Sequence, residues 1–216
     1  VMPITFFLTD HKAETIDHVT GAINKWISDN PSNVVKLRLA TGNIGVMAAT
    51  NDAVRAAELP MLFAVYIAVA LFCLITFRSF AAVICCVLPL VLVSILANAM
   101  MAFLGIGLKV ATLPIAALGV GIGVDYGIYI FSRLQVHLAS GHTIADAFVT
   151  TLRETGHAVL FTGLTLAAGV GTWIFSALKF QADMGMMLCF MFILNMVAAI
   201  VLIPALAGLL IRPSTR

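Results

Sequence analysis

Charged side chains are scarce in this sequence, which has 12 Lys and Arg and 10 Asp and Glu among 216 residues. They make up 10% of the chain, whereas soluble domains hold about 25%, so this is not an ordinary soluble domain. The formal net charge of +2 is too small to indicate nucleic acid or an acidic substrate as a partner. By contrast, 62% of the residues are hydrophobic and the mean hydropathy is +1.08, which is typical of a membrane protein.

Cysteine motifs that bind metals are also missing. The four cysteines lie inside apolar runs without a CxxC or Cys/His spacing, which predicts packing roles rather than zinc ligands or a disulfide framework. We therefore expect no metal site and no cofactor. The chain begins without Met and without the basic and apolar regions of a signal peptide, so we expect it to be a fragment of a longer protein.

Residues 1–58 have a soluble composition and hold half of the charged side chains. ITFFLT and VVKLRLA are predicted strands, and apolar residues at three- and four-residue steps predict a helix over 11–29 between them. A β-α-β unit of this size is too small to be a convincing domain alone. We interpret residues 1–58 as the C-terminal end of a larger domain.

Residues 59–212 contain five long apolar segments, at about 60–77, 81–104, 110–133, 157–176 and 183–210. A helix needs about 20 apolar residues to cross a hydrocarbon core of about 30 Å. Each segment meets or approaches that length. The predicted fold class is thus a membrane all-α bundle of five transmembrane helices, preceded by a small α+β piece.

The loops between the spans indicate an orientation. Five Lys and Arg residues lie on one side, namely Arg78, Arg133, Arg153, Arg212 and Arg216, whereas the other side has Lys109 and Lys179. The positive-inside rule places the first side in the cytoplasm. The C-terminus is then cytoplasmic and the N-terminal piece lies outside.

A short amphipathic helix is predicted in the large cytoplasmic loop, at about 143–155. Thr143 and Asp146 resemble a capping box with Asp in place of Glu. Ile144, Phe148 and Leu152 then recur every four residues, and Gly156 is a candidate for the end of this helix. We interpret the helix chiefly as a connector on the membrane surface.

Asp125 is the candidate functional residue, because it lies in the third span about 12 Å above Arg133 at 1.5 Å per residue. An ionised Asp within the bilayer costs roughly 2.5–3.5 kcal/mol on insertion scales. The carboxyl must therefore take up a proton or face a polar, hydrated seam. Intramembrane ionisable residues mark ion and proton pathways more often than they serve structure alone.

The neighbours of Asp125 strengthen this interpretation. Gly119, Gly123 and Gly127 are spaced by four and predict a smooth stripe on which another helix packs closely. Tyr126 and Tyr129 bring hydroxyls to the same region, and Tyr129 lies one turn from Asp125 on the same face.

The fourth and fifth spans add polar residues at similar depth. Thr162 and Thr165 lie level with Asp125 and are candidate partners for its carboxyl, although back-bonding to their own helix is an equal alternative. Asn195 lies in the middle of the fifth span and must find a partner, for which packing between helices is the favoured explanation.

GVGIGVDYGIYIFSRL and AVLFTGLTLAAGVGTWIFSALKFQADMGMMLCFMFILNMVAAIVLIPALAGLL, together with ITFRSF, resemble the C-terminal half of a resistance-nodulation-division (RND) transporter. Within that superfamily, the chain most resembles the MMPL-type exporters of lipids and other hydrophobic molecules. The resemblance covers essentially the whole chain.

This resemblance implies a bacterial inner-membrane protein of two repeats, with a periplasmic porter domain in each half. Residues 1–58 would end the second porter domain, and the spans would be part of the second repeat. It also implies a proton relay through Asp125 and Tyr126, with Tyr129, Thr162 and Thr165 as candidate partners. The Lys and Arg of the multidrug branch are absent here, which argues against a multidrug pump.

The implied partners are membrane lipid, a hydrophobic or lipid-like substrate and the N-terminal half of the transporter, which this chain lacks. A homo-oligomer is compatible with the resemblance, and no nucleic acid is expected. The function expected is export driven by the proton-motive force, with Asp125 as the proton carrier.

Two other function classes compete with export. An intramembrane aspartyl protease carries Gly-x-Gly-Asp, but here the spacing is one residue too long. A two-carboxylate mechanism also lacks its second acid, because Asp183 at the start of the fifth span lies at the outer surface and at the wrong depth. The chain is therefore not expected to be an enzyme. A sterol-sensing-like or scaffolding module would keep the spans and make Asp125 structural.

Overall fold

The computed structural model describes residues 4–5, 7–8, 10, 13–31, 37–39, 43–106 and 113–210. The secondary structure of these residues is helical, and five helices are long and apolar enough to cross a membrane. This confirms the predicted five-span bundle. The helices are α1 (Ala13–Asp29), α2 (Asn43–Phe77), α3 (Phe80–Phe103), α4 (Leu113–Ala139), α5 (Ile144–Thr151), α6 (His157–Gly171) and α7 (Lys179–Leu210).

The strands expected within residues 1–58 are not supported. Residues 4–5, 7–8 and 37–39 are described and none of them lies in a strand. The remaining residues of the two predicted strands fall outside the described ranges. A strand needs a neighbouring strand to satisfy its backbone groups, and no described residue supplies one. The secondary structure described in this region is therefore the helix α1 and the start of α2, without the strands of an α+β unit.

The first span begins earlier than its apolar composition predicts. Helix α2 runs for 35 residues, or about 52 Å, whereas a hydrocarbon core is about 30 Å thick. Its first turns carry Asp52, Arg55 and Glu58 and extend beyond the apolar part. Helix α1 packs against this extension, where Asp17 and Arg55 form an ion pair at 2.6 Å.

Helices α2 and α3 form a tight hairpin through two residues. Arg78 adopts a left-handed conformation with φ 49°, and Ser79 is extended. This turn reverses the chain at the end of the first span. It places Cys73 of α2 and Cys86 of α3 in one buried cluster with the middle of α4.

Helix α7 is the centre of the bundle. It packs against α3, α4 and α6. Half of the residues in its most apolar 18-residue stretch are buried. In the most apolar stretch of the first span, 11% of the residues are buried. The outer faces of α2 and α6 consequently expose large apolar side chains such as Phe63, Phe72 and Phe161, as expected for helices that face lipid or another protein segment.

Glycines let the neighbouring helices approach α7 closely. A Cβ added at Gly119 of α4 would collide with Met191, and one at Gly163 of α6 would lie 2.5 Å from Met196 Sδ. At Gly185 of α7 itself, a Cβ would lie 2.7 Å from the carbonyl oxygen of Val170. Without an aqueous driving force, membrane helices associate through such close packing.

The predicted amphipathic helix and the fourth span form one helical segment. The N-terminus of α5 is capped by Thr143, whose Oγ1 accepts a hydrogen bond from the Asp146 N–H at 3.2 Å. Gly156 was the expected end of this helix, but a π-helical turn at Leu152–Gly156 carries the chain directly into α6. The expectation was wrong because the residues around Gly156 keep right-handed helical backbone angles, and Gly156 has φ −60°.

The glycine contacts generate a stability prediction. Gly163→Ala should lower the free energy of unfolding by about 1–3 kcal/mol, because the Cβ overpacks the contact with Met196. Gly169→Ala is the matched control on the same helix, since no atom lies within 4 Å of a Cβ there. Thermal unfolding of the detergent-solubilised variants measures the difference. Equal stability of the two variants would contradict the close α6–α7 contact.

Candidate functional site

Helix α4 has two opposite faces, and the glycine stripe forms the packed one. Gly119 and Gly123 lie against α7, and a Cβ placed on Gly127 would lie 3.3 Å from Ile203 Cδ1 and 3.9 Å from Cys86 Cα. Side chains at Gly119 and Gly123 would clash with Met191 and Asn195 of α7, whereas the space at Gly127 is tight only against Ile203. The stripe thus has the helix-packing contacts that its four-residue spacing predicts.

The exposed face of α4 carries Asp125. Leu118, Gly121, Asp125 and Tyr129 follow one another at steps of three and four residues, and all four are exposed. A Cβ placed on Gly121 would have no atom of another helix within 4 Å. The helical turn that precedes Asp125 is therefore open on this face. Asp125 has no hydrogen bond or ion pair with any described residue, and Tyr129 shares its face as expected.

Tyr126 lies on the packed side of α4, away from Asp125. The side chain is 2% exposed and belongs to the same buried cluster as Ile130, Cys86 and Ile203. Its hydroxyl is buried and has no hydrogen-bond partner in the described part of the chain. Tyr126 is therefore on a different face from Asp125, because consecutive helical residues are rotated by about 100°, and its part in a relay with Asp125 stays a prediction.

The two threonines of α6 bond to their own helix. Thr162 Oγ1 donates to the Ala158 carbonyl at 2.8 Å, and Thr165 Oγ1 donates to the Phe161 carbonyl at 2.7 Å. Both residues are exposed, and the structure gives neither a hydrogen bond to Asp125. Helices α4 and α6 make their main contacts with α7 and not with each other. The structure does not bring the threonines and the carboxyl together.

Asn195 of α7 supplies the polar contact between α7 and α4. It is 3% exposed, and its Nδ2 donates to the Gly119 carbonyl at 2.8 Å. A Cβ on Gly123 would lie 2.6 Å from the amide carbon, so the missing side chain of Gly123 makes room for this group. The interhelical packing role predicted for Asn195 is the one observed. Its Oδ1 is buried and accepts no hydrogen bond from the described residues.

A second polar group lies at the C-terminal end of α4. His137 Nε2 lies 3.2 Å from Glu154 Oε2 in the π-helical turn, and the rings of His137 and His142 meet edge to face at 5.8 Å. Sequence reasoning did not find this pair, because the π-helical turn that carries Glu154 has no clear sequence pattern. The described residues contain no cluster of three or more His, Cys, Asp or Glu that could hold a metal ion.

Comparison with known proteins identifies a matching family and several relatives. The family model described as the MMPL family matches residues 3–214. A protein of Methanocaldococcus jannaschii, described as a membrane protein, is 32% identical over 133 residues, which is 62% of this chain and 34% of that protein.

Two relatives in Mycobacterium tuberculosis carry transport in their names. "Probable transport protein MmpL9" is 30% identical over 142 residues, which cover 63% of this chain and 15% of that protein. "Siderophore exporter MmpL5" is 31% identical over 116 residues, which cover 51% of this chain and 12% of that protein. The chain thus spans about a third or less of the length of the curated relatives it matches.

The different burial of Asp125 and Tyr126 generates a prediction about stability. Asp125→Asn should change the free energy of unfolding by less than about 1 kcal/mol, because the carboxyl contacts no partner among the described residues. Tyr126→Ala should lower it by about 3–5 kcal/mol, because it leaves a cavity in the core. Thermal unfolding in detergent measures both, and an equal loss in the two neighbours would contradict the orientation of α4.

Proposed function

This chain belongs to the MMPL family of RND-superfamily membrane proteins, and from that premise we propose that it is the C-terminal part of an exporter of hydrophobic or lipid-like molecules driven by the proton-motive force. MMPL proteins are transporters and not enzymes, and the chain is a multi-pass membrane protein. Beyond family membership, we propose the driving force, the substrate class and the role of Asp125. A relative named as a siderophore exporter supports export of a small molecule.

The observation that carries the proposal is the position of Asp125 on an unpacked face in the middle of a span. Asp125 lies 12 residues after Leu113 and 14 before Ala139, or about 18 and 21 Å from the two ends of α4. Lipid cannot cover an ionised carboxylate at this depth without a cost of several kcal/mol. A protein surface or a water-filled path must therefore meet this face when the group is ionised.

The N-terminal half of the transporter is the proposed cover for this face. The curated relatives are about three or more times longer than the matched segments, and repeat transporters form their coupling-ion sites at the interface of two halves. Asp125, Tyr129, Thr162 and Thr165 are exposed in these five spans, and they would be available to polar groups of that other half. In this proposal Thr162 and Thr165 exchange their intrahelical hydrogen bonds for contacts with water or the opposing repeat.

The proposed mechanism uses the change of charge at Asp125. The ionised carboxylate favours a hydrated interface, whereas the protonated carboxyl tolerates an apolar one. Proton uptake from the periplasm and release to the cytoplasm would then alternate the packing of the two halves, and substrate would move through the porter domains above. Tyr126 enters the relay only after a movement of α4, because its hydroxyl lies on the packed face.

The proposal includes an orientation. The loop that carries Arg133 and Arg153 and the C-terminus would be cytoplasmic, and residues 1–58 would lie in the periplasm of a bacterial inner membrane. Helix α2 extends beyond its apolar part, and this extension supports a connection to a domain outside the membrane. Residues 1–58 are proposed as the end of that domain.

Asp125→Asn in the full-length protein tests the proposed relay. The amide has nearly the same shape but carries no titratable proton, so export of a lipophilic dye such as Nile red, or of a siderophore, should fall by at least about tenfold. Asp52→Asn, at an exposed position of α2, is the matched control and should retain export. Efflux and the accompanying proton flux are measured in proteoliposomes that carry a pH gradient. Export by the Asp125→Asn variant at the unaltered rate would refute the relay.

A further inference from the structure

Two adjacent residues of α7 hold two different helices. Asn195 fits beside Gly123 of α4, and Met196 packs on Gly163 of α6. Because α4 and α6 make their main contacts with α7, the helix with Asp125 and the helix with the threonines are joined through this point. A displacement of α4 at Asn195 would therefore reach α6 through Met196.

The side-chain amide of Asn195 uses its nitrogen but not its oxygen in hydrogen bonds with the described residues. Its Nδ2 donates to the Gly119 carbonyl at 2.8 Å, while its Oδ1 is buried without a donor among the described residues. A buried amide oxygen without a partner is uncommon in folded proteins. The interface between α7 and α4 thus contains an acceptor that the described arrangement does not use.

The hydroxyl of Tyr126 is the complementary group in the same interface. It is buried without a partner among the described residues, and Tyr126 lies three residues, or about 4.5 Å along the axis, below Gly123. Side chains on a helix lean towards its N-terminus, so the ring of Tyr126 leans towards the level at which Gly123 meets Asn195. Tyrosine can donate and the amide oxygen can only accept, and the two unused groups match.

We propose that Asn195 is a positioning residue with two alternative hydrogen-bonding states on α4. In the state described here, its amide holds the Gly119 carbonyl and Asp125 faces away from α7. In the second state, a movement of α4 along the glycine stripe, by less than one turn, brings the Tyr126 hydroxyl to Asn195 Oδ1. The inference rests on the proposed function, because protonation of Asp125 is what drives the movement.

Asp125 is the group that changes charge in the middle of this bundle. The titratable side chains that the neighbouring spans present are Tyr66 and Cys73 of α2, Cys85 and Cys86 of α3, and Cys189 of α7, and none of these is a carboxyl. Charged and titratable groups lie nearer the two ends of the spans, with Arg133, His137, His142, Asp146, Glu154 and His157 at one end and Glu58, Lys179 and Asp183 at the other. The histidines among them are the alternative trigger that the experiment below distinguishes from Asp125.

Hydrogen exchange of the full-length protein in nanodiscs, followed by mass spectrometry at pH 6 and pH 8 and corrected for the intrinsic pH effect, tests the inference. The wild type should exchange the α4 amides over 119–126 about twofold or more differently at the two pH values. Asn195→Leu removes both amide groups at similar volume. It should raise exchange in this segment and abolish the difference between the two pH values.

Two further variants sharpen the test. Gly123→Ala displaces the Asn195 amide, because the added Cβ occupies its space. It should also raise exchange in α4 and abolish the difference between the two pH values. It replaces Asn195→Leu as the test if that variant does not fold. Ser94→Ala removes another hydrogen bond between spans, from the Tyr66–Ser94 pair at 2.6 Å, and should leave exchange in α4 at the wild-type level.

The outcomes separate the inference from the proposed function. A wild type without a pH difference, or an Asn195→Leu variant that keeps it, overturns the two-state role and leaves Asn195 as a packing residue. Asp125→Asn should also abolish the pH difference while keeping exchange low. If the difference survives in Asp125→Asn but vanishes in Asn195→Leu, the role of Asn195 stands and the proton role of Asp125 fails, which shifts the trigger to the histidines near His137.

Discussion

The close approach of α4 and α6 to α7 is the constraint on which the rest of this bundle depends. Apolar helices in lipid gain little by hiding apolar surface from one another, so their association requires dense packing and satisfied polar groups. Here the density comes from positions without side chains, where Met191, Asn195 and Met196 of α7 fill the spaces beside glycines. A single buried amide adds the polar contact at 2.8 Å. Helix α7 thereby determines how the helices on both of its sides are oriented.

The orientation of α4 follows directly from this contact. Because Gly119 and Gly123 face α7, a residue two positions further must point to the opposite side, and Asp125 does. The same geometry buries the neighbouring Tyr126 in the core. Two polar groups that are adjacent in the chain thus lie on different faces of α4, one exposed and one in the core, and a hydrogen-bonded path between them requires rotation or an intervening group.

Much of this architecture could be predicted from sequence, because it follows from apolar length and helical periodicity. The five spans, the exposed pairing of Asp125 with Tyr129 and the interhelical use of Asn195 all belong to that part. The burial of Tyr126 could not be predicted, because it depends on which side of α4 meets α7, and glycines at 119, 121, 123 and 127 leave more than one choice. The turn at Leu152–Gly156 was equally hidden, since a π-helical register has no clear sequence pattern. The strands predicted before the first span rested on β-propensity, which carries little weight without partner strands.

The uninterrupted path from Ile144 to Phe175 has a mechanical consequence. A loop between a surface helix and a span would absorb a change in the tilt of the span, but hydrogen-bonded backbone does not. Helix α5 also rests on the C-terminal parts of α4 and α7, where Ile144 lies near Gly208. Any reorientation of the fourth span inside the membrane must therefore swing the segment that precedes it. Helix α5 therefore moves with any change in tilt of the fourth span, and its contacts with α4 and α7 resist such a change. A movement around a carboxyl at mid-membrane depth is thereby coupled to the membrane surface.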